Sequence, residues 1–293
     1  MTLAALSSLL IKTSLFAVVA SLGMTSTRRD VTWLLRSPGL LVRSLLAMQV
    51  LAPLLAIVLA GVVLPLPVGV KIALVLVSLA PVPPMLPGKA DKAGGYRPYA
   101  ISLLVVAAAF AIVAIPVSLK ILSAVTVYSV GIEASVVAKV LGLSIFIPVA
   151  VGLAIAAIAP EFGRRASPVV TKVATGCLVL GLLPPLAATL PAIGTLIGNG
   201  TLAVCVVLAL GALWIGHQLG GPNREDRTVL ALSTAVRHPG MAIALANANF
   251  GREELVVPAI LLYVIVVTVV RVPYLRLSNR RRAEMLAARE AYR

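Results

Sequence analysis

The sequence predicts an all-α, polytopic membrane protein of about nine transmembrane helices. Three observations carry that expectation. Of the 293 residues, 60% are hydrophobic and only 12% charged, against about 25% charged in an ordinary soluble chain. The apolar residues come in blocks, many of them longer than the roughly 20 residues that cross a bilayer as a helix. The gaps between the blocks are short and basic, so the formal charge of +15 reads as loops held in the cytoplasm. Aromatic residues are 4% of the chain and interleave with no basic patch, which excludes nucleic acid as a partner.

In chain order the spans fall at 3–23, 39–64, 67–95, 97–122, 133–158, 167–190, 199–219, 225–250 and 255–275. The first block holds Lys12 near its middle, has no basic residue before it, and is followed by Arg28 and Arg29. That is the pattern of a retained helix rather than a cleaved signal. No gap is long enough for a separate unit, so residues 1–275 form one transmembrane domain. Arg28, Arg29, Arg36 and Arg43 flank the first gap; Arg164, Arg165 and Lys172 mark the fifth, and Arg224 and Arg227 the seventh. The tail, 276–293, carries Arg276, Arg280, Arg281, Arg282, Arg289 and Arg293, whereas the alternate gaps hold little beyond Lys71, Lys120, Lys139 and Arg252. The bias puts the N-terminus outside and the C-terminus in the cytoplasm of a bacterial-type plasma (inner) membrane. The tail reads as a basic amphipathic helix at the lipid surface. Cys177 and Cys205 lie inside apolar blocks as small hydrophobes, with no disulfide framework and no metal spacing.

Two spans are interrupted. The third contains Pro81-Val82-Pro83-Pro84-Met85-Leu86-Pro87-Gly88, and the eighth contains Arg237-His238-Pro239-Gly240. Proline removes a backbone donor and clashes with the preceding turn, so neither stretch can be continuous helix. Unwound backbone at membrane depth is tolerated only inside protein or along a water-filled cavity. Paired interruptions in two halves of a chain point to a transport site. Each broken span is preceded and followed by a continuous one, and the two triplets cross the membrane in opposite senses, the pattern of an inverted repeat. The alternative is two independent proline kinks.

At these residues the chain resembles the bile acid:sodium symporter superfamily. Leu232 through Phe250 (Leu-Ser-Thr-Ala-Val-Arg-His-Pro-Gly-Met-Ala-Ile-Ala-Leu-Ala-Asn-Ala-Asn-Phe) is similar to the family's penultimate broken helix, and Leu74 through Gly95 to the other. The order of spans fits along essentially the whole chain, except that the first helix of a ten-helix member is missing. The resemblance implies a core of spans 39–64, 67–95, 97–122, 199–219, 225–250 and 255–275, in which the broken helices cross. It implies a panel of spans 3–23, 133–158 and 167–190 against which the core moves. Sodium-coupled members place a glutamate with amides and hydroxyls around two cation sites. Aligned on Gly240 and Phe250, Ser233 falls at the glutamate position, and Arg237 and His238 fall where amides are expected. The Ser-Asn pair expected in the first broken helix falls near Leu86 and Pro87. A hard cation needs several oxygen ligands, and no carboxylate stands here, so the usual sodium site is expected to be lost.

The candidate crossing region is therefore Pro83, Pro84, Pro87, Lys89, Asp91, Ser233, Thr234, Arg237, His238, Pro239 and Gly240. At such a crossing the first half-helices end in unpaired carbonyls and the second begin with unpaired N–H groups. Arg237, at the first kind of end, needs a reason to be there, since a charge at bilayer centre costs about 2.5–3.5 kcal/mol on insertion scales. Its guanidinium is expected to stand where sodium stands in coupled relatives, on the exposed carbonyls. Lys89 and Lys92 flank Asp91, the one acid this reading places within a broken span, and the surplus of positive charge favours an anionic substrate. Lys92 is read as snorkelling to the surface, and Lys89 as either snorkelling or functional. His238 is a proton relay or a plain hydrogen-bonding group. No catalytic signature is present, so the chain is read as a non-enzyme: a secondary carrier of a small organic anion working by alternating access, without cofactor or metal. Coupling to protons, to an unconventional sodium site or to neither stays open, as does a homo-oligomer. An auxin-efflux-type carrier of related fold, or a transport-inactive sensor or scaffold, is the alternative.

Overall fold

The computed structural model describes residues 3–62, 66–125, 130–198 and 200–291. Among these, every regular element is helical. We number α1 (Leu3–Met24), α2 (Pro38–Gly61), α3 (Val68–Leu79), α4 (Leu86–Lys92) and α5 (Arg97–Val125). There follow α6 (Ala134–Ile158), α7 (Pro160–Leu196), α8 (Thr201–Leu219), α9 (Arg224–Ala235), α10 (Pro239–Phe250) and α11 (Val256–Ala291). Eight segments are long and apolar enough to cross a membrane, with α9 and α10 together forming one of them. The broken α3–α4 segment makes the ninth, each half alone being too short to span. The protein is thus an all-α polytopic membrane protein.

The breaks sit where the prolines dictate. A residue before proline is pushed out of the helical region. Accordingly Ala80, before Pro81, is extended (φ −63°, ψ 145°) and ends α3. His238, before Pro239, is also extended (φ −73°, ψ 101°), as is Val236 (φ −91°, ψ 116°). Both following helices place proline in their first turn, as Pro87 in α4 and Pro239 in α10, where the missing N–H has no intrahelical role. The interruption in the third span is therefore Ala80–Met85, narrower than the eight-residue motif, because Leu86, Pro87 and Gly88 already belong to α4.

Helix packing brings the breaks together. α9 packs beside α4, and α10 beside α3, so the two broken segments run antiparallel. α2, α5, α8 and α11 pack around them. Separately, α1 packs along α6 and α7, which also touch each other. Small residues permit that approach: a Cβ on Gly152 would lie 2.7 Å from Gly23 Cα, and one on Gly23 only 2.7 Å from the Val149 carbonyl oxygen. Hydroxyls zip α1 to α7, with Ser167 Oγ donating to the Ser21 carbonyl at 2.8 Å and Ser21 Oγ 2.7 Å from Thr171 Oγ1. The α1–α2 link packs on α5, where Ser102 Oγ accepts from the Leu34 N–H at 2.9 Å and donates to the Val31 carbonyl at 2.8 Å.

Two spans differ in extent from the sequence reading. The sixth span extends to Pro160–Leu196 and carries Pro168, Pro184, Pro185 and Pro191 inside it; most of its large apolar side chains face outward. The ninth span and the basic tail form one helix, which continues through Pro273. At 36 residues and about 1.5 Å per residue, this helix is longer than the roughly 30 Å hydrocarbon core of a bilayer. The side chains of Arg280, Arg281, Arg282 and Arg289, all of Arg293, and the expected span ends at 64 and 199 lie outside the described residues.

Candidate functional site

The crossing is built from backbone groups that proline has orphaned. In α3 the Ser78 carbonyl lacks a helical donor: the residue three on is Pro81, with no N–H, and the chain leaves the helix at Ala80. In α2 a π-helical turn at Leu46–Leu51 shifts the register, so that the Ala52 N–H bonds the Ala47 carbonyl. In that register the donor to the Met48 carbonyl would be residue 53, which is a proline. Arg237 supplies both missing donors. Its Nη2 donates to the Ser78 carbonyl at 2.6 Å and to the Met48 carbonyl, and the side chain is only 3% exposed. One guanidinium nitrogen thus joins the break in α9–α10 to the end of α3 and to α2.

The neighbouring groups are satisfied in the same manner. The His238 N–H donates to the Pro81 carbonyl at 2.9 Å, a direct backbone bond between the two breaks. His238 Nδ1 accepts the Met241 N–H at 3.2 Å and so caps α10, which fixes the proton of the neutral ring on Nε2. The ring lies over Gly240: a Cβ there would sit 3.1 Å from His238 Cε1. At the end of α9, Tyr263 Oη donates to the Ala235 carbonyl at 2.8 Å. Arg237 Nε and Nη1 and His238 Nε2 make no hydrogen bond within the described residues. No carboxylate among the described residues forms an ion pair with Arg237; Glu161 pairs with Arg164 and Arg165 on α7.

Of the residues singled out by sequence, Arg237 and His238 meet the other break directly. Pro83, Pro84 and Pro239 form the interruptions themselves, while Pro87 and Gly240 sit in the first turns that follow. Ser233 and Thr234 are buried in the last turns of α9, and Thr234 Oγ1 donates back to the Leu230 carbonyl at 2.7 Å. Lys89 and Asp91 do not join the crossing contacts; they lie along α4, Lys89 exposed and Asp91 half-buried. Asp91 is not the only acid on a broken segment. Glu225 and Asp226 stand in the first turn of α9, and Asp226 is buried with Asn223 Nδ2 donating to it at 3.0 Å. Sequence reasoning also missed Met48, Ser78 and Tyr263. Pro53, five residues after Met48, was the available signal for the first; a tyrosine hydroxyl deep in an apolar span was the signal for the last. An open apolar groove of about 230 Å³, with Ile57, Ile72, Val75, Leu76, Leu122 and Phe250 on its walls, contains none of the singled-out residues.

Comparison with known proteins agrees with this architecture. The profile of the Sodium Bile acid symporter family matches residues 13–185, more than half of the chain. The matched stretch includes the first broken segment and ends before Leu232–Phe250, so the second broken segment stands on its own geometry. No curated protein matches the chain significantly. The family's members are transporters rather than enzymes, of the organic-anion type. With its multi-pass helical fold and a profile match across six of its nine membrane segments, the chain belongs to the Sodium Bile acid symporter family.

Proposed function

We propose that the protein is a secondary transporter of a small organic anion, working by alternating access without the usual sodium sites. The observation that carries this reading is Arg237 Nη2 on the Ser78 and Met48 carbonyls. Orphaned carbonyls at a helix break are what a bound cation ordinarily coordinates. Here a covalently attached cation already satisfies them, so a second cation would meet both repulsion and a lack of free oxygen ligands. The same substitution favours an anionic substrate. Arg237 Nε and Nη1 and His238 Nε2 are buried donors without an acceptor among the described residues, and they adjoin the N-terminus of α10, where partial positive charge gathers.

In this reading α1, α6 and α7 are the panel, and α2–α5 with α8–α11 are the core that moves against it, in a plasma membrane with the N-terminus outside. The separate packing of α1 with α6 and α7 supports the division. The Arg97 guanidinium on the Thr25 carbonyl and hydroxyl is a contact between the two bodies that the movement would make and break.

Uptake of a labelled organic-acid panel into proteoliposomes tests the proposal, with sodium compared against potassium on both sides. Saturable uptake that is indifferent to sodium is the expected result. Strictly sodium-dependent uptake would overturn the loss of the cation site, and no saturable flux for any acid would favour a sensor or scaffold.

A further inference from the structure

The apolar groove of about 230 Å³ owes its shape to small residues at a helix end. α2 closes on Ala60 and Gly61, both of which line the groove, and a Cβ built on Gly61 meets nothing within 4 Å. α3 packs on α2 and on α10, yet no side chain fills the space at Gly61. Lys71 in the first turn of α3, Leu122 in the last turn of α5 and Phe250 at the end of α10 complete the rim. All four positions stand at helix ends on one side of the bundle, away from Arg97 and Arg224, which begin α5 and α9. Ile57 and Leu76 lie deeper, four residues before Gly61 and five after Lys71, or about 6–8 Å along their helices.

Polarity is divided along this groove. Lys71 is its one charged lining residue, and the others are apolar side chains or glycine. Lys71 is half-buried and forms no ion pair among the described residues, Glu253 and Glu254 in the exposed turn after α10 included. A lysine near a helix end extends its amine to headgroup level, and the apolar walls run from there toward the membrane interior. Around the groove Leu54, Val58 and Ile121 are exposed by 51%, 50% and 59%, so it opens among side chains that face acyl chains.

We propose that the groove is a phospholipid site, in which one acyl chain lies along Ile57, Val75, Leu76 and Phe250 and the phosphate pairs with Lys71. Charge and pattern both match. A phospholipid is apolar along its tail and anionic at the end that reaches the interface, where a single lysine attracts it. A small organic anion suits these walls poorly, because they offer it no polar group beyond Lys71 and include no residue of either break. α3 and α10 are the halves of the two broken segments at this end, so a chain seated here touches both. The site does not depend on whether the protein transports.

Native mass spectrometry of the purified full-length protein, titrated in detergent with phosphatidylglycerol, tests this. The variants are Lys71→Gln, Gly61→Leu and, as a control on another open surface, Gly176→Leu in α7, where a new Cβ also meets nothing within 4 Å. None of these positions is closely packed or ion-paired, so lipid-free thermal midpoints should match wild type. The expected result is at least one retained phosphatidylglycerol in wild type and in Gly176→Leu. Affinity should fall about fivefold in Lys71→Gln and about tenfold in Gly61→Leu, whose side chain takes the space of the acyl chain. Equal affinities in all four proteins, or an equal loss in Gly176→Leu, would reduce the binding to unspecific surface lipid and overturn the site. Displacement of the phospholipid by members of the organic-acid panel would assign the groove to solute instead. A wild-type dimer that Gly61→Leu dissolves would assign it to a second copy of the chain. Either outcome overturns the proposal.

Discussion

A guanidinium is suited to the crossing because its nitrogens lie in one plane with donors pointing apart, so a single Nη2 can serve two carbonyls on different helices. Arg237 does this for Ser78 and Met48. Removing it leaves two buried carbonyls without donors, at about 1–3 kcal/mol each. Arg237→Ala should therefore lose about 2–6 kcal/mol of stability, read as a lowered thermal midpoint in detergent, and added sodium should not restore it. Sodium-dependent recovery in that variant would mean that the carbonyls can rebuild a cation site. Tyr263→Phe isolates a single orphan, the Ala235 carbonyl, and should cost about 1–3 kcal/mol by the same measurement. At this scale the sequence was half legible. Arg237 was visible because a charge amid apolar residues demands a partner. Its partners were not, because backbone carbonyls have no letter in a sequence and the π-helical turn that frees Met48 shows only as Pro53.

Among the elements, the breaks were the most legible feature, since the pre-proline rule acts locally and needs no tertiary context. Boundaries that depend on the surroundings were less so. The α7 helix keeps four internal prolines because a helix at the periphery can bend toward lipid without disturbing a core, and its mostly outward-facing side chains place it there. The α11 helix runs through its basic end because charge alone does not stop a helix. The contact of α1 with α6 is tighter than any sequence pattern could specify. Gly152→Ala should disrupt it, since the new methyl would overlap the Ala20 carbonyl and Gly23 Cα, whereas Gly176→Ala in α7 meets nothing within 4 Å. The expected outcome is a thermal midpoint clearly lowered by Gly152→Ala and little changed by Gly176→Ala. Equal midpoints would contradict the packing.

For the whole molecule, the fold class, the number of membrane segments and the family were all readable from apolar blocks and two proline-rich interruptions. The proposed function sets the chain apart from its family in sodium dependence, on the ground that Arg237 occupies carbonyls at the break. Direct sodium binding tests this most sharply. Purified wild-type protein is titrated with sodium chloride, against potassium or choline chloride at matched ionic strength, while its thermal midpoint is followed. The expected result is the same midpoint in all three salts, as Arg237 already occupies the Ser78 and Met48 carbonyls. A saturable rise specific to sodium would contradict it and would mean that oxygen ligands elsewhere in the crossing still assemble a cation site.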